Sequence, residues 1–433
     1  MQYDDIFTLW DTFRSHTPLF HILLPDRYTD FIRSLVDTWR HDGWLPDGRS
    51  SNYNGRIQGG SNADNVLADA RVKGVSGGVN WNDAYAAMLT DAEVVPPNNP
   101  KDPQAPDSST RQGRGALDDW KTLGLITTKY SRSVSRASEY AVNDFCVAQV
   151  AKSLGRAADH TKYAGRSKNW RNHWDRRMAV FGFSGFLSPV IANSSGGGSF
   201  PQTPQNPLSC DGCYWKDPYY QALPFEYSFG ALHDAKAMIE LMGGDDAFIA
   251  RLEKLFEPGT NPAGDARFGK TLFNPGNEPS FASPYLFNFV PGNQWRSVAR
   301  SRHIARSYYK ADKQGLPGNS DAGAMQSWLL WSIIGLYPVT GTTTFLVGAP
   351  QLSHLSIDLG RGNKLVVSAQ RRGGGEDDGA WFVQSLTVNG ERWSKSWVDW
   401  ADVFENGGSM EFVLGPRRTR WDAAGERPLW NLV

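Results

Sequence analysis

The sequence lacks any run of eighteen apolar residues, and its opening, Met1-Gln2-Tyr3-Asp4-Asp5, has neither a basic segment nor an apolar one. No membrane span or secretory leader is therefore expected in the chain as written. Net charge is also missing. The 45 Lys and Arg balance the 45 Asp and Glu, so no overall field would draw the protein to nucleic acid or to an anionic membrane. A neutral substrate suits such a surface better. Cysteine is scarce, and three residues cannot make a disulfide framework. Cys210 and Cys213 form a C-x-x-C within Leu208-Ser-Cys-Asp-Gly-Cys-Tyr214, but no second ligand pair follows at the spacing of a zinc knuckle. A local disulfide or two plain thiols are expected there.

Aromatic residues are abundant, with 17 Trp, 15 Tyr and 22 Phe. They suit sugar-binding clefts, because a pyranose presents a flat C–H face to a ring, and they suit large cores equally well. At 433 residues the chain is too long for one ordinary core, which predicts one large domain with an appendage. Apolar residues at helical spacing, Phe31, Ile32, Leu35, Val36 and Trp39, predict a helix over 28–42 that Gly43 stops. Similar patterns predict helices over 62–73, 81–90, 135–154, 233–242, 245–256, 295–309 and 321–336. From 342 onward the pattern turns to short alternating runs at 344–347, 355–359, 364–367, 381–384 and 410–414, with Asn389-Gly390 as a hairpin signal.

The reading is therefore a mainly helical domain over 1–340, with an inserted loop at about 93–115, followed by a β-rich segment over 341–433. The stretches 96–115 and 193–211 are rich in Pro, Gly, Ser, Asn and Asp, and are long enough either to rim a site or to be surface insertions. No fixed helical repeat stands out, which argues against a solenoid but leaves a closed ring of helix pairs open.

Four islands combine Trp, Gly, Asn and acidic residues in ways that helix packing does not require. The first is Leu9-Trp-Asp-Thr-Phe-Arg14, where Asp11 and Arg14 are spaced to pair on one turn. The second, Gln58-Gly-Gly-Ser-Asn-Ala-Asp64, has paired glycines that either admit a ligand or turn the chain. The third runs from Tyr219 through Gln221, Phe225 and Glu226 to His233 and Asp234, where a helix start explains Asp234 as simply as a site would. The fourth is a pair of Gly/Pro/Asn turns, Asn274-Pro-Gly-Asn-Glu-Pro-Ser280 and Gly315-Leu-Pro-Gly-Asn-Ser-Asp-Ala-Gly-Ala-Met325. Each carries one carboxylate. Asn277 and Pro279 stiffen the backbone around Glu278, while for Asp321 helix capping is the competing explanation.

Together with Val134-Ser-Arg-Ala-Ser-Glu-Tyr140, Asn143-Asp144, Trp328 and Gly335-Leu-Tyr-Pro338, these islands resemble glycoside hydrolase family 92, the calcium-dependent exo-α-mannosidases, from Leu9 to the last strands. The resemblance implies an (α/α)6 helical toroid, here followed by a small C-terminal antiparallel β appendage, and a β-sandwich preceding the toroid. The sequence begins just before the first motif, without that sandwich. The resemblance further implies inverting hydrolysis of terminal α-linked mannose from a glycan or glycoprotein, with Glu278 as general acid and Asp321 as general base. Asn319 stands beside the base where many members have a second acidic residue. Trp10, Asp11, Asp64, Gln221, His233 and Asp234 would meet the sugar, and Glu226 and Asn277 would hold Ca2+. Gln221 replaces a common Glu, and Phe225 a frequent Trp. The family is commonly secreted, and Asn193-Ser194-Ser195 is a glycosylation sequon. Two other expectations stand beside this one: a catalytically impaired mannose-binding remnant of the same family, and a different (α/α)6 carbohydrate enzyme.

Overall fold

Helices of the first three-quarters of the chain form where apolar stripes find partners. The computed structural model describes residues 8–48, 56–107, 112–374 and 379–428. Met1 to Asp5, read above for a leader, lie outside the described residues, as does part of the 96–115 stretch. In chain order the helices are α1 (Leu9–Thr12), α2 (His16–Leu23), α3 (Pro25–Asp42), α4 (Asn62–Val72), α5 (Trp81–Glu93), α6 (Leu117–Thr122), α7 (Ser133–Ser153), α8 (Ala157–Arg166), α9 (Pro224–Tyr227), α10 (Ala235–Leu241), α11 (Asp245–Leu255), α12 (Gln294–Tyr308) and α13 (Ala324–Ile334). In α3 the buried residues include Phe31, Ile32, Leu35 and Val36, and Gly43 ends it in the left-handed conformation with its N–H on the Trp39 carbonyl at 2.7 Å. The sequence pattern locates α3, α4, α5, α7, α11 and α12 to within a turn. The segment 233–242 instead begins as a 3-10 turn, Leu232–Asp234, and α13 starts only at Ala324.

The longest helix, α7, is buried on nearly every side, so its polar residues Arg136, Glu139, Asn143 and Asp144 must find partners inside the protein. It packs against α4, α5 and α8. Within that part the chain also builds a hairpin, β1 (Trp174–Val180) with β2 (Phe183–Leu187), and a short pair, β3 (Ile191–Ala192) with β4 (Gly198–Ser199). The sequence reading missed both pairs.

The C-terminal strands are β5 (Leu336–Pro338), β6 (Thr344–Val347), β7 (His354–Gly360), β8 (Asn363–Arg371), β9 (Phe382–Val388), β10 (Glu391–Trp393), β11 (Trp397–Asp399) and β12 (Gly408–Gly415). A 5-stranded sheet runs β10-β9-β12-β8-β7 and a 3-stranded sheet runs β11-β6-β5. The expectation of an antiparallel appendage needs correction. The last strand, β12, inserts between β9 and β8, antiparallel to the first and parallel to the second, so the larger sheet is mixed. Asn389 and Gly390, at φ 51° and 84°, form the two-residue turn between β9 and β10 that the sequence signals. Phe345, Val347, Leu365, Val367 and Leu386 from both sheets share one core with Leu19, Ile22 and Trp331 of the helices, so the strands pack on the helical part through a common interior.

Candidate active site

The two Gly/Pro/Asn turns of the fourth island meet back to back. A Cβ on Gly276 would lie 2.7 Å from the Pro317 carbonyl oxygen and 3.0 Å from the Gly318 Cα, and one on Gly318 would lie 2.6 Å from the Gly276 carbonyl oxygen. Only glycine fits on both sides of that contact, and it holds the Glu278 turn against the Asp321 loop. Asp321, Ala322 and Gly323 then run at φ 43°, 54° and 90°, three consecutive left-handed residues. Each that carries a Cβ costs roughly 1–2 kcal/mol in this region, so packing around the loop must hold it there. Gly323, not Asp321, is the N-cap of α13, and it makes no side-chain capping bond. Helix capping therefore does not account for Asp321.

The first island is fastened to the same helix and to Tyr337 just beyond it. The Ser15 hydroxyl donates to the Ala324 carbonyl at 3.1 Å, the Trp331 indole N–H to the Ser15 carbonyl at 2.9 Å, and the Tyr337 hydroxyl to the Arg14 carbonyl at 3.1 Å. These bonds carry Asp11 to the fourth island. One oxygen each from Asp11, Glu278 and Asp321 lies within 4.8 Å of the others, the one such triple of acidic, His or Cys side chains among the described residues. Asp11 is 2% exposed and Glu278 3%, while Asp321 is half-buried. Burial first, then the charges of Asp11 and Asp321, hold the Glu278 carboxyl well above the usual range. Burial and Asp321 likewise raise Asp11, opposed by Arg14. Arg14 does not bond Asp11, as its spacing suggested. Its guanidinium donates to the Trp10 carbonyl at 2.9 Å and to Glu139 at 2.8 Å.

A cavity of about 70 Å³ opens behind Glu278, lined also by Arg14, Glu139, Glu226, His233 and Tyr337. Neither Asp11 nor Asp321 lines it, so Glu278 alone touches both the cavity and the carboxylate cluster. The Glu278 Oε1 is buried without a hydrogen-bond partner among the described residues.

The other predicted residues are placed as follows. Trp10 is fully buried against Ala105, Trp215 and Tyr220, with Gly59 packed so closely that a Cβ there would lie 2.1 Å from its ring. Its ring is therefore covered in this structure and has no open face. The paired glycines of the second island thus make room for Trp10 and for Asn143, which a Cβ on Gly60 would meet at 2.4 Å. Asp64 is corrected too: it is fully buried, and its Oδ2 accepts from Arg114 at 2.8 Å and from Ser61. Asp234 accepts from the Trp170 indole at 2.9 Å and from Arg171 at 2.7 Å, which commits both its oxygens to the fold. His233 lines the cavity, bonded through Nε2 to the Ser167 carbonyl at 3.1 Å. Gln221 and Asn319 are exposed.

Glu226 is pinned to the acid's turn. Its Oε2 accepts from the Leu223 N–H at 3.0 Å at the start of α9, and its Oε1 accepts from the Ser280 hydroxyl at 3.1 Å. Burial raises its carboxyl to about 7. Asn277 is buried with its Nδ2 unpartnered. Both Glu226 oxygens already accept hydrogen bonds and the unpartnered Asn277 atom is a donor, so calcium could be held here only through the remaining lone pairs of the Glu226 carboxylate and the Asn277 Oδ1. Sequence reasoning missed Glu139, Arg114 and the ring of Tyr220, because each acts through contacts far apart in the chain. Cys210 and Cys213 form a disulfide, one of the two expected states.

The glycosyl hydrolase family 92 catalytic domain matches residues 1–416. An uncharacterized secreted glycosidase of Arthroderma benhamiae is 32% identical over 410 residues, which is 91% of this chain and 50% of that protein. Among solved structures, a family GH92 α-mannosidase of Bacteroides thetaiotaomicron superposes with a TM-score of 0.76 at 24% identity, covering 96% of this chain and 50% of that one. A family GH92 inverting mannosidase of the same organism gives 0.79 at 22% identity, covering 96% of this chain and 54% of that one. The first has also been solved in complex with mannoimidazole. This chain spans about half the length of the relatives it matches. By its own sequence over nearly its whole length, the chain belongs to glycosyl hydrolase family 92.

Proposed function

We propose that the chain carries the acid–base machinery of an exo-α-mannosidase acting on terminal α-linked mannose of a glycan. The observation behind this reading is the cluster of buried Asp11 and Glu278 with half-buried Asp321 inside a family 92 catalytic domain. The mannosidase names of the structural neighbours, and the mannose-like inhibitor bound by one of them, support the choice of sugar. On this reading the helices close as an (α/α)6 toroid, in line with the neighbouring pairs α3 with α4 and α7 with α8.

Glu278 keeps its proton near neutral pH because burial and two nearby carboxylates disfavour its anion. It gives that proton to the glycosidic oxygen as the bond from that oxygen to the anomeric carbon breaks. Asp321 accepts a proton from the water whose oxygen attacks the same carbon, and mannose leaves with inverted configuration. The nearest Glu278 and Asp321 oxygens lie within 4.8 Å, whereas inversion needs carboxyls about 6.5–9.5 Å apart. Inversion therefore requires the half-buried Asp321 side chain to turn away from Glu278 as sugar and water enter, while the two backbone turns stay in contact. The short resting separation favours a second reading, a retaining displacement with Asp321 as nucleophile. Glu226 and Asn277 would hold calcium, which would grip sugar hydroxyls when bound.

Proton NMR of the first product formed from an aryl α-mannoside separates the two mechanisms, β-mannose appearing first on inversion and α-mannose on retention. Glu278→Gln is expected to lower kcat on α-mannobiose by about 10²–10⁴-fold, and dialysis against a chelator to lower the wild-type rate. Unchanged turnover by Glu278→Gln would refute the assignment of the acid, and mannose binding without turnover by the wild type would mark an impaired remnant.

A further inference from the structure

Of the large apolar side chains exposed among the described residues, two are aromatic: Phe181, at the tip of the β1–β2 hairpin, and Tyr214, which is 55% exposed. Tyr214 is not isolated. Its ring stacks on Tyr220 with centroids 5.9 Å apart and planes at 24°, and Tyr220 meets the edge of Trp10 at 6.1 Å. Trp10 directly precedes Asp11, and the Asp11 carboxylate acts electrostatically on the Tyr220 phenol. A short aromatic ladder thus leads from the carboxylate cluster to the surface and ends in an open ring.

The ladder is held in place. The Cys210–Cys213 disulfide closes the loop next to Tyr214, with Cα atoms 5.4 Å apart. The Asp217 N–H donates to the Tyr214 carbonyl at 3.0 Å, and the Gln221 N–H to the Cys213 carbonyl at 2.8 Å. Trp215 packs beside Tyr220 at 4.8 Å, with the Arg132 guanidinium over its ring at 4.9 Å. A ring fixed in this way loses little conformational freedom when a ligand covers it. Gln221, which follows Tyr220 in the chain, is exposed, and Gln58 hydrogen-bonds the Tyr220 phenol, so the ring beneath Tyr214 is anchored at its polar end. A flat, open aromatic face matches a neutral pyranose, which offers C–H bonds on its own flat face.

We infer that Tyr214 is the stacking platform for the sugar on the leaving-group side of the scissile bond, and that the Cys210–Cys213 loop positions it. This inference rests on the mannosidase reading, because it takes Asp11 to mark the terminal-sugar position. It assigns specificity to a residue away from the carboxylates and to a disulfide that the chemistry of hydrolysis does not use.

The test compares two ligands in the Glu278→Gln background, which suppresses turnover: methyl α-mannoside, with no second ring, and α-mannobiose, with one. Calorimetric titration should show Tyr214→Ala lowering the affinity for α-mannobiose relative to methyl α-mannoside by about ten-fold, the upper end of what a single ring contact supplies. Tyr214→Trp should restore the ratio. Equal weakening of both ligands would make Tyr214 a merely structural residue and overturn the inference. So would an unchanged ratio, the ring then being cover for another surface. If neither sugar binds even with Tyr214 intact, the mannosidase reading fails and the subsite fails with it.

Discussion

Two groups of buried carboxylates lie in this domain with opposite surroundings. Asp64 and Asp144 are fully buried and face cations: Arg114 reaches Asp64 at 2.8 Å and Asp144 at 2.7 Å, while Arg166 at 2.6 Å and the Trp120 indole at 2.7 Å also donate to Asp144. Burial alone would raise Asp144, but Arg166 and Arg114 outweigh it and hold its carboxyl low. Asp11, Glu278 and Asp321 are crowded together, and Arg14, the guanidinium that acts on Asp11, is bonded to Glu139 and to the Trp10 carbonyl. The first group is fully buried, and in the second only Asp321 reaches solvent. One is paired with arginines and ties α4, α7 and α8 together, although burial still raises Asp64 to about 6, and the other has three carboxyl groups facing one another. Burial by itself therefore does not mark a reactive site, and neither does a raised carboxyl, since burial also pushes Asp47 up to about 8; what sets the second group apart is three carboxyl groups converging on one point.

The most direct way to break the comparison is to remove an arginine from the first group. Arg114→Leu leaves Asp64 and Asp144 short of a buried partner and should cost about 3–5 kcal/mol of stability in a denaturant titration. A neutral result would mean that the two groups do not differ as argued. The second group is expected to depend on position. Gly318→Ala places a methyl against the Gly276 carbonyl, pushes the acid turn and the base loop apart, and should lower kcat/KM by about 10²-fold. The comparison variant is Gly165→Ala in α8, where a Cβ meets nothing within 4 Å. It should leave kcat/KM unchanged.

The difference between the groups was only partly legible in the sequence. Helix periodicity located α3, α4, α5, α7, α11 and α12 because their stripes are local, and Asn389-Gly390 marked its turn because φ is positive at both residues. The parallel pairing of β12 with β8 was not legible, since strand order depends on contacts between segments about forty residues apart. Residues of the fourth island stood out because Gly, Pro and Asn fix backbone shape, and the structure does bring Glu278 and Asp321 together. Asp64 looked as suitable for a site as Asp11, for both follow conspicuous local motifs. What separates them is Arg114, which lies fifty residues beyond Asp64 in a stretch without periodicity. Trp10 misled for a related reason: its ring reads as a sugar platform, yet Gly59 and Tyr220 cover it and pass the exposed role to Tyr214.

The smallest expected effect sharpens the comparison through pH. In the native protein Glu278 holds its proton far above the ordinary carboxyl value of about 4.3, whereas the unfolded chain releases it near that value. Between those points the native state binds the extra proton, so raising the pH removes stability, and the stabilising contribution is fully present only below the unfolded value. Glu278→Gln keeps the shape of the side chain and deletes the titration. Its stability should match the wild type near about pH 4 and exceed it increasingly above about pH 5, by at most about 1.4 kcal/mol per pH unit. Asp144 has the opposite sign: its native carboxyl is held below the ordinary range, so Asp144→Asn should lose stability relative to wild type once the pH is high enough to ionise an ordinary carboxyl, and recover on acidification. Urea midpoints of both variants across that range read the two slopes directly, and slopes of the same sign would show that Glu278 is paired in the native state and does not keep its proton.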